Sequence, residues 1–186
     1  VGIYFDQTTK RTYPLKSLAC HVIGFMRGDS KWGLENYYDK YMTGVPGRSF
    51  IAYDGSNTAV RQEYNAQDGD TVVTTIDYTI QQYAEDIVKR TAEQWPSEAV
   101  GIMVMNPNTG EIYAMADSSS FDLNKPDEIP AMENEEFQAM WEEMSEEDQI
   151  NYKNNMWNNF NTVSSFEPGS IFKPITVAAA ESSNHM

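Results

Sequence analysis

The residues whose types and spacing best suit chemistry are Ser170 and Lys173, within Glu167-Pro168-Gly169-Ser170-Ile171-Phe172-Lys173-Pro174. At helical spacing a separation of three puts both on one face, one turn apart. Pro174 lacks an N–H and is tolerated only at a helix start, so a helix is expected to begin near Ser170, delivered by the Pro168-Gly169 turn. A serine hydroxyl is a poor nucleophile until a base takes its proton. A lysine kept neutral by burial or neighbouring positive charge is such a base. The helix N-terminus adds partial positive charge and N–H donors, including that of Ser170, for a developing oxyanion. This is an arrangement for acyl transfer. About one Ser-x-x-Lys arises by chance in a chain of this size, so an N-cap serine beside an exposed lysine is the bland alternative.

Composition narrows the class. A chain of 186 residues, 40% hydrophobic and 12% aromatic, can bury the core of one ordinary domain, or of a small one plus part of a larger. The net charge of −15, from 13 basic and 28 acidic residues, argues against a nucleic-acid partner. Ten of the acidic residues lie between Asp127 and Asp148, a stretch without Lys or Arg. Cys20 is the single cysteine, so no disulfide forms within the chain, and two histidines make a metal site or a Ser-His-Asp triad improbable. His21 sits in an apolar run and reads as a packed histidine, and Cys20 as a buried thiol. No apolar run approaches the ~20 residues of a membrane span. The strand-like start, Val1-Gly2-Ile3-Tyr4-Phe5, and the helix barely begun at Thr176-Val177-Ala178-Ala179-Ala180 suggest a piece of a longer protein.

Along the chain, residues 1–25 alternate apolar and polar positions with turn signals at Asp6-Gln7-Thr8-Thr9 and Tyr13-Pro14, predicting two short strands or a hairpin. A glycine-punctuated loop then leads to a short helix over 34–41, ended by Gly44-Val45-Pro46-Gly47. Residues 48–68 read as two strands around the Asp54-Gly55-Ser56-Asn57 turn. After a polar turn at Gln67-Asp68-Gly69-Asp70, residues 71–76 read as a strand. Asp77 then caps an amphipathic helix over Tyr78–Gln94, with Ile80, Tyr83, Ala84, Ile87, Val88 and Thr91 at helical spacing. Apolar runs at 99–105 and 111–116 flank Asn106-Pro107-Asn108-Thr109-Gly110, a hairpin signal. The acidic segment 127–156 carries Phe137, Met140, Trp141 and Met144 at helical spacing. It reads as one or two surface helices with a solvated, insertion-like face, a partner-binding helix being the minority reading. The pattern as a whole is α+β, an antiparallel sheet covered by helices.

In their order these motifs resemble the class B penicillin-binding proteins, the serine D,D-transpeptidases that cross-link bacterial peptidoglycan. Arg11-Thr12-Tyr13-Pro14, His21-Val22-Ile23-Gly24-Phe25, Gly33-Leu34-Glu35 and Gly44-Val45-Pro46-Gly47 resemble the family's N-terminal pedestal, or dimerisation domain. Thr74-Thr75-Ile76-Asp77 with Gln81 resembles the opening of the transpeptidase domain, and Met105 to Met115 its first sheet hairpin. Glu167 to Pro174 resembles the active-site motif. The resemblance implies a partial pedestal over 1–68 and the N-terminal part of a transpeptidase domain over 69–186, with an acidic helical insertion at about 127–156. It makes Ser170 the acylated nucleophile and Lys173 its proton acceptor. It also makes Arg11 and Glu35 candidates for a structural ion pair.

The same resemblance implies D-alanyl-D-alanine stem peptides as substrate, β-lactams as acylating mimics, and no metal or organic cofactor. The parent would be anchored in the bacterial cytoplasmic membrane with this region extracytoplasmic, and a membrane glycosyltransferase is the expected partner. The family completes its site with a Ser-x-Asn motif and a Lys-Thr-Gly strand, and neither follows Lys173 here, so the chain by itself is expected to be soluble, inactive and prone to self-association through exposed strand edges. Two other readings stay open: a noncatalytic interaction module of the cell-wall machinery, and a D,D-carboxypeptidase, β-lactamase or β-lactam sensor. The pedestal-like residues 1–68 weigh against the last group.

Overall fold

The computed structural model describes residues 10–28, 30–53, 55, 59–95, 97 and 99–183. The strand expected at Val1 to Phe5, the turn at Asp6 to Thr9 and most of the Asp54 to Asn57 turn lie outside the described residues. Among the described residues the fold is α+β, with helices and three two-stranded antiparallel sheets. In order the elements are α1 (Cys20–Ile23), β1 (Met26–Arg27), β2 (Ser30–Lys31), α2 (Gly33–Tyr37), α3 (Asp39–Met42), β3 (Arg48–Tyr53), β4 (Ala59–Tyr64) and α4 (Tyr78–Gln94). There follow β5 (Gly101–Met105), β6 (Ile112–Asp117), a 3-10 turn at Pro130–Glu133, α5 (Glu135–Glu143), α6 (Glu146–Trp157) and α7 (Phe160–Val163). A second 3-10 turn, Gly169–Phe172, runs into α8 (Lys173–Ser182).

The centre is α4 laid on the β5–β6 hairpin. Asp77 caps α4, its Oδ1 accepting from the Ile80 N–H at 2.9 Å, and the helix occupies Tyr78–Gln94, as its periodicity predicted. Ala84 and Val88 face Ala114 and Ala116 of β6, with Ile80, Val100, Ile102 and Val104 around them. Small side chains on both surfaces let the helix approach the strand closely. The hairpin pairs Gly101 with Asp117 and Met105 with Ile112, with a bulge between Val104 and Met105. Its turn forms as the Asn106 to Gly110 run predicted: the Asn108 N–H bonds to Asn106 Oδ1, and Gly110 takes a φ of 78°.

A second core joins residues 13–32 to the acidic segment. Cys20, Phe25, Phe121, Leu123, Ile129 and Met156 are buried together, with Trp32, Phe137, Trp141, Tyr152 and Trp157 packed around them. Phe25 meets Trp157 edge-on at 5.2 Å, and Trp157 Nε1 donates to the Pro126 carbonyl at 2.8 Å. The acidic helices are therefore more than a solvated insertion. Their carboxylates face water while Phe137, Trp141, Tyr152, Met156 and Trp157 seal the core from the other side.

Three expected elements differ. Residues 71–76 form no strand: Thr75 Oγ1 donates to the Ile112 carbonyl and the Asp77 N–H to that of Tyr113, so the segment touches β6 without forming a ladder. The helix expected at 34–41 breaks at Tyr38 into α2 and α3. The region around Tyr13 and His21 contains successive turns and α1 rather than strands. Just beyond it, Gly24 and Gly33 take φ of 71° and 61° and press backbone to backbone; a Cβ on Gly24 would overlap the Trp32 carbonyl. Arg11 and Glu35 meet at 3.2 Å, as proposed for the ion pair, tying the first described residues to α2.

Candidate active site

Ser170 lies in the second 3-10 turn and Lys173 opens α8. The α-helix therefore starts three residues later than Pro174 alone predicted, although the backbone is already right-handed helical at Pro168 and Phe172. The cause is local. A proline at 174 cannot donate to the Ser170 carbonyl, and its ring crowds that carbonyl in an α turn. The Lys173 N–H takes the Ser170 carbonyl instead, three residues back, which is the tighter 3-10 pattern. Gly169 accommodates the entry with a φ of 52°.

Ser170, Ile171, Phe172 and Lys173 are all exposed. Among the described residues no hydrogen bond links Ser170 Oγ to Lys173 Nζ. Ile171, Phe172, Ile175 and Val177 are each more than 45% exposed on the same segment. Among the described residues no group of three or more His, Cys, Asp or Glu side chains could hold a metal ion, and no helix is long and apolar enough to cross a membrane.

A cleft of about 900 Å³ lies away from Ser170, bordered by Cys20, His21, Gln81, Glu85, Asp117 and Ser119. Burial pushes the Cys20 thiol up to about 12, so it stays protonated and is a poor nucleophile at neutral pH. His21 is packed, as its apolar surroundings predicted: its ring meets Phe121 edge-on at 5.3 Å. Sequence reasoning missed its partners Asp117 and Ser119. The available signal was a carboxylate closing the apolar run of β6, followed by three serines.

Residues 100–186 match the penicillin binding protein transpeptidase domain. That stretch contains the hairpin, the acidic helices and the Ser170 turn. These 87 residues are similar to the penicillin-binding transpeptidases. The chain is 26% identical over 183 residues to the peptidoglycan D,D-transpeptidase FtsI of Escherichia coli (strain K12), covering 96% of this chain and 27% of that protein. It is 29% identical over 187 residues to stage V sporulation protein D of Bacillus subtilis (strain 168), covering 96% and 25%. A crystal structure of a peptidoglycan synthetase from Bifidobacterium adolescentis ATCC 15703 aligns with a TM-score of 0.53 and 27% identity, over 61% of this chain and 22% of that one. The chain thus spans about a quarter of the length of these relatives.

Proposed function

We propose that the protein containing this chain is a serine D,D-transpeptidase of peptidoglycan synthesis, with Ser170 as nucleophile and Lys173 as proton acceptor. The observation that carries the reading is that the Ser-x-x-Lys turn falls inside the transpeptidase-domain match, with Ser170 exposed at the head of the helix that Lys173 opens. Chance placement of a Ser-x-x-Lys does not account for that context.

In this mechanism Lys173 Nζ takes the Ser170 proton as Oγ attacks the carbonyl of the penultimate D-alanine of a stem peptide. The terminal D-alanine leaves as the amine, carrying a proton. The side-chain amine of a second stem peptide then attacks the acyl-enzyme, forming the cross-link and restoring the serine. The helix start contributes N–H donors to the oxyanion. A β-lactam acylates the same oxygen and stalls there.

The domain division at residue 68, the downstream Ser-x-Asn and Lys-Thr-Gly motifs, the extracytoplasmic placement of a membrane-anchored parent and a glycosyltransferase partner all belong to this reading. So does the inactivity of the isolated chain. The test is release of D-alanine by the full-length protein from a stem-peptide analogue ending in D-alanyl-D-alanine. Release that is abolished by prior treatment with penicillin is expected. Release insensitive to penicillin would contradict the serine mechanism.

A further inference from the structure

Asp117 closes β6 at 7% exposure, and its two oxygens serve three parts of the chain. Oδ1 accepts from the N–H and the hydroxyl of Ser119 at 3.0 and 2.7 Å. Oδ2 accepts from the Phe160 N–H, at the start of α7, at 3.2 Å and lies 3.4 Å from Nδ1 of His21. The His21 ring is held from its other side as well. Its Nε2 donates to the Met156 carbonyl at 2.9 Å and sits 3.3 Å from Ser119 Oγ. A carbonyl only accepts, so Nε2 carries a hydrogen, and the ring reaches Asp117 through Ser119 Oγ, which donates on to Oδ1, while Nδ1 lies 3.4 Å from Cys20 Sγ.

Two residues earlier on β6 a second connection runs parallel to the first. The amide of Gln81, fully buried, pairs with the Met115 backbone as a neighbouring strand would: Oε1 accepts from the N–H at 2.8 Å and Nε2 donates to the carbonyl at 3.0 Å. Nε2 also donates to Glu85 Oε1, which accepts from the Ala19 N–H at 2.7 Å. Ala19 holds a φ of 53°, a costly conformation for alanine, and that hydrogen bond helps retain it. Between the two connections, Asn161 Nδ2 donates to the Ala116 carbonyl at 2.9 Å. Residues 19–21 and 159–161 therefore both hang on three consecutive residues of one strand.

A buried carboxylate persists only where its hydrogen bonds are made, and apolar residues would seal such a junction without that demand. Hydrogen bonds add what apolar contact lacks, a fixed register between the joined segments. Downstream, α7 leads directly into the exposed 164–173 segment that carries Ser170. We propose that Asp117 is a positioning residue for Ser170, joining the His21 turn to the start of the segment that presents the nucleophile. Displacement of that turn is thereby passed to the serine. The proposal rests on the acyl-transfer reading above.

The test uses the full-length protein as wild type, His21→Ala, Asp117→Asn and the double variant. Stopped-flow acylation by a fluorescent penicillin separates the noncovalent Kd from the acylation rate constant, and amide exchange is followed over residues 158–164. Asparagine keeps the volume and one acceptor oxygen, which protects the fold; if His21→Ala does not fold, His21→Gln replaces it. Each single variant is expected to lower the acylation rate constant about tenfold or more, with Kd unchanged. Exchange at 160–163 rises in both. The double variant loses no more than Asp117→Asn alone, because the two residues act through one connection. Multiplicative losses in the double variant, or unchanged exchange at 160–163, would overturn the proposal. Wild type that cannot be acylated defeats the enzymatic reading instead, and the exchange measurement then decides the connection by itself.

Discussion

Lys173→Ala in the full-length protein is expected to slow acylation of Ser170 by penicillin about 10²- to 10⁴-fold, the range lost when a positioned general base is removed. The serine and its turn stay in place, because Lys173 is exposed and packs against no core residue. Lys173→Arg is expected to fall as far. A guanidinium remains protonated at any accessible pH and cannot take the hydroxyl proton, although it preserves the positive charge. Stopped-flow labelling distinguishes the two roles available to Lys173. If Lys173→Arg retained most of the rate, the side chain would be supplying charge alone and another group would be the base.

The largest expected loss of stability comes from Phe121→Ala, about 3–5 kcal/mol. Phe121 is 2% exposed and holds both His21 and Phe25 edge-on, at 5.3 and 5.9 Å. Few side chains are in a position to collapse into the space, since the surrounding rings are fixed by their own contacts: Phe25 against Trp157, and Trp157 against Trp32. Domains are stable by only about 5–15 kcal/mol, so the variant approaches the threshold of folding. Urea unfolding of the 186-residue chain measures it, as a lower midpoint at similar slope. A midpoint within experimental error of wild type would mean that the aromatic cluster does not organise the fold.

Where local pattern decides the structure, the sequence was readable. Asp77 followed by apolar residues at three and four defines α4, and the Asn106 to Gly110 turn between two apolar runs defines the β5–β6 hairpin. The Ser-x-x-Lys spacing and Pro174 place Ser170 at a helix start; the 3-10 turn before α8 escaped because it depends on which carbonyl the Lys173 N–H reaches. Residues 71–76 have strand composition but lie where only single hydrogen bonds reach β6, and composition does not count partners. The acidic helices read as solvated because their charge is plain in the sequence. Their apolar face gains meaning only from Phe25, more than a hundred residues before it, and from Phe121, which precedes Phe137 and Trp157 by 16 and 36 residues. The His21, Asp117 and Phe160 junction has no spacing signature at all: its members come from three elements, and only the fold brings them within 3.4 Å.

The central claim is that Ser170 becomes the acyl carrier. The most direct measurement is intact mass and gel fluorescence of the full-length protein after incubation with a fluorescent penicillin, alongside Ser170→Ala and the isolated 186-residue chain. One adduct on the wild type, on the peptide containing Ser170, with none on Ser170→Ala or on the isolated chain, is the predicted result. An adduct that survives in Ser170→Ala, or a wild type that takes no label, would contradict it and leave Ser170 as the hydroxyl of a helix-leading turn.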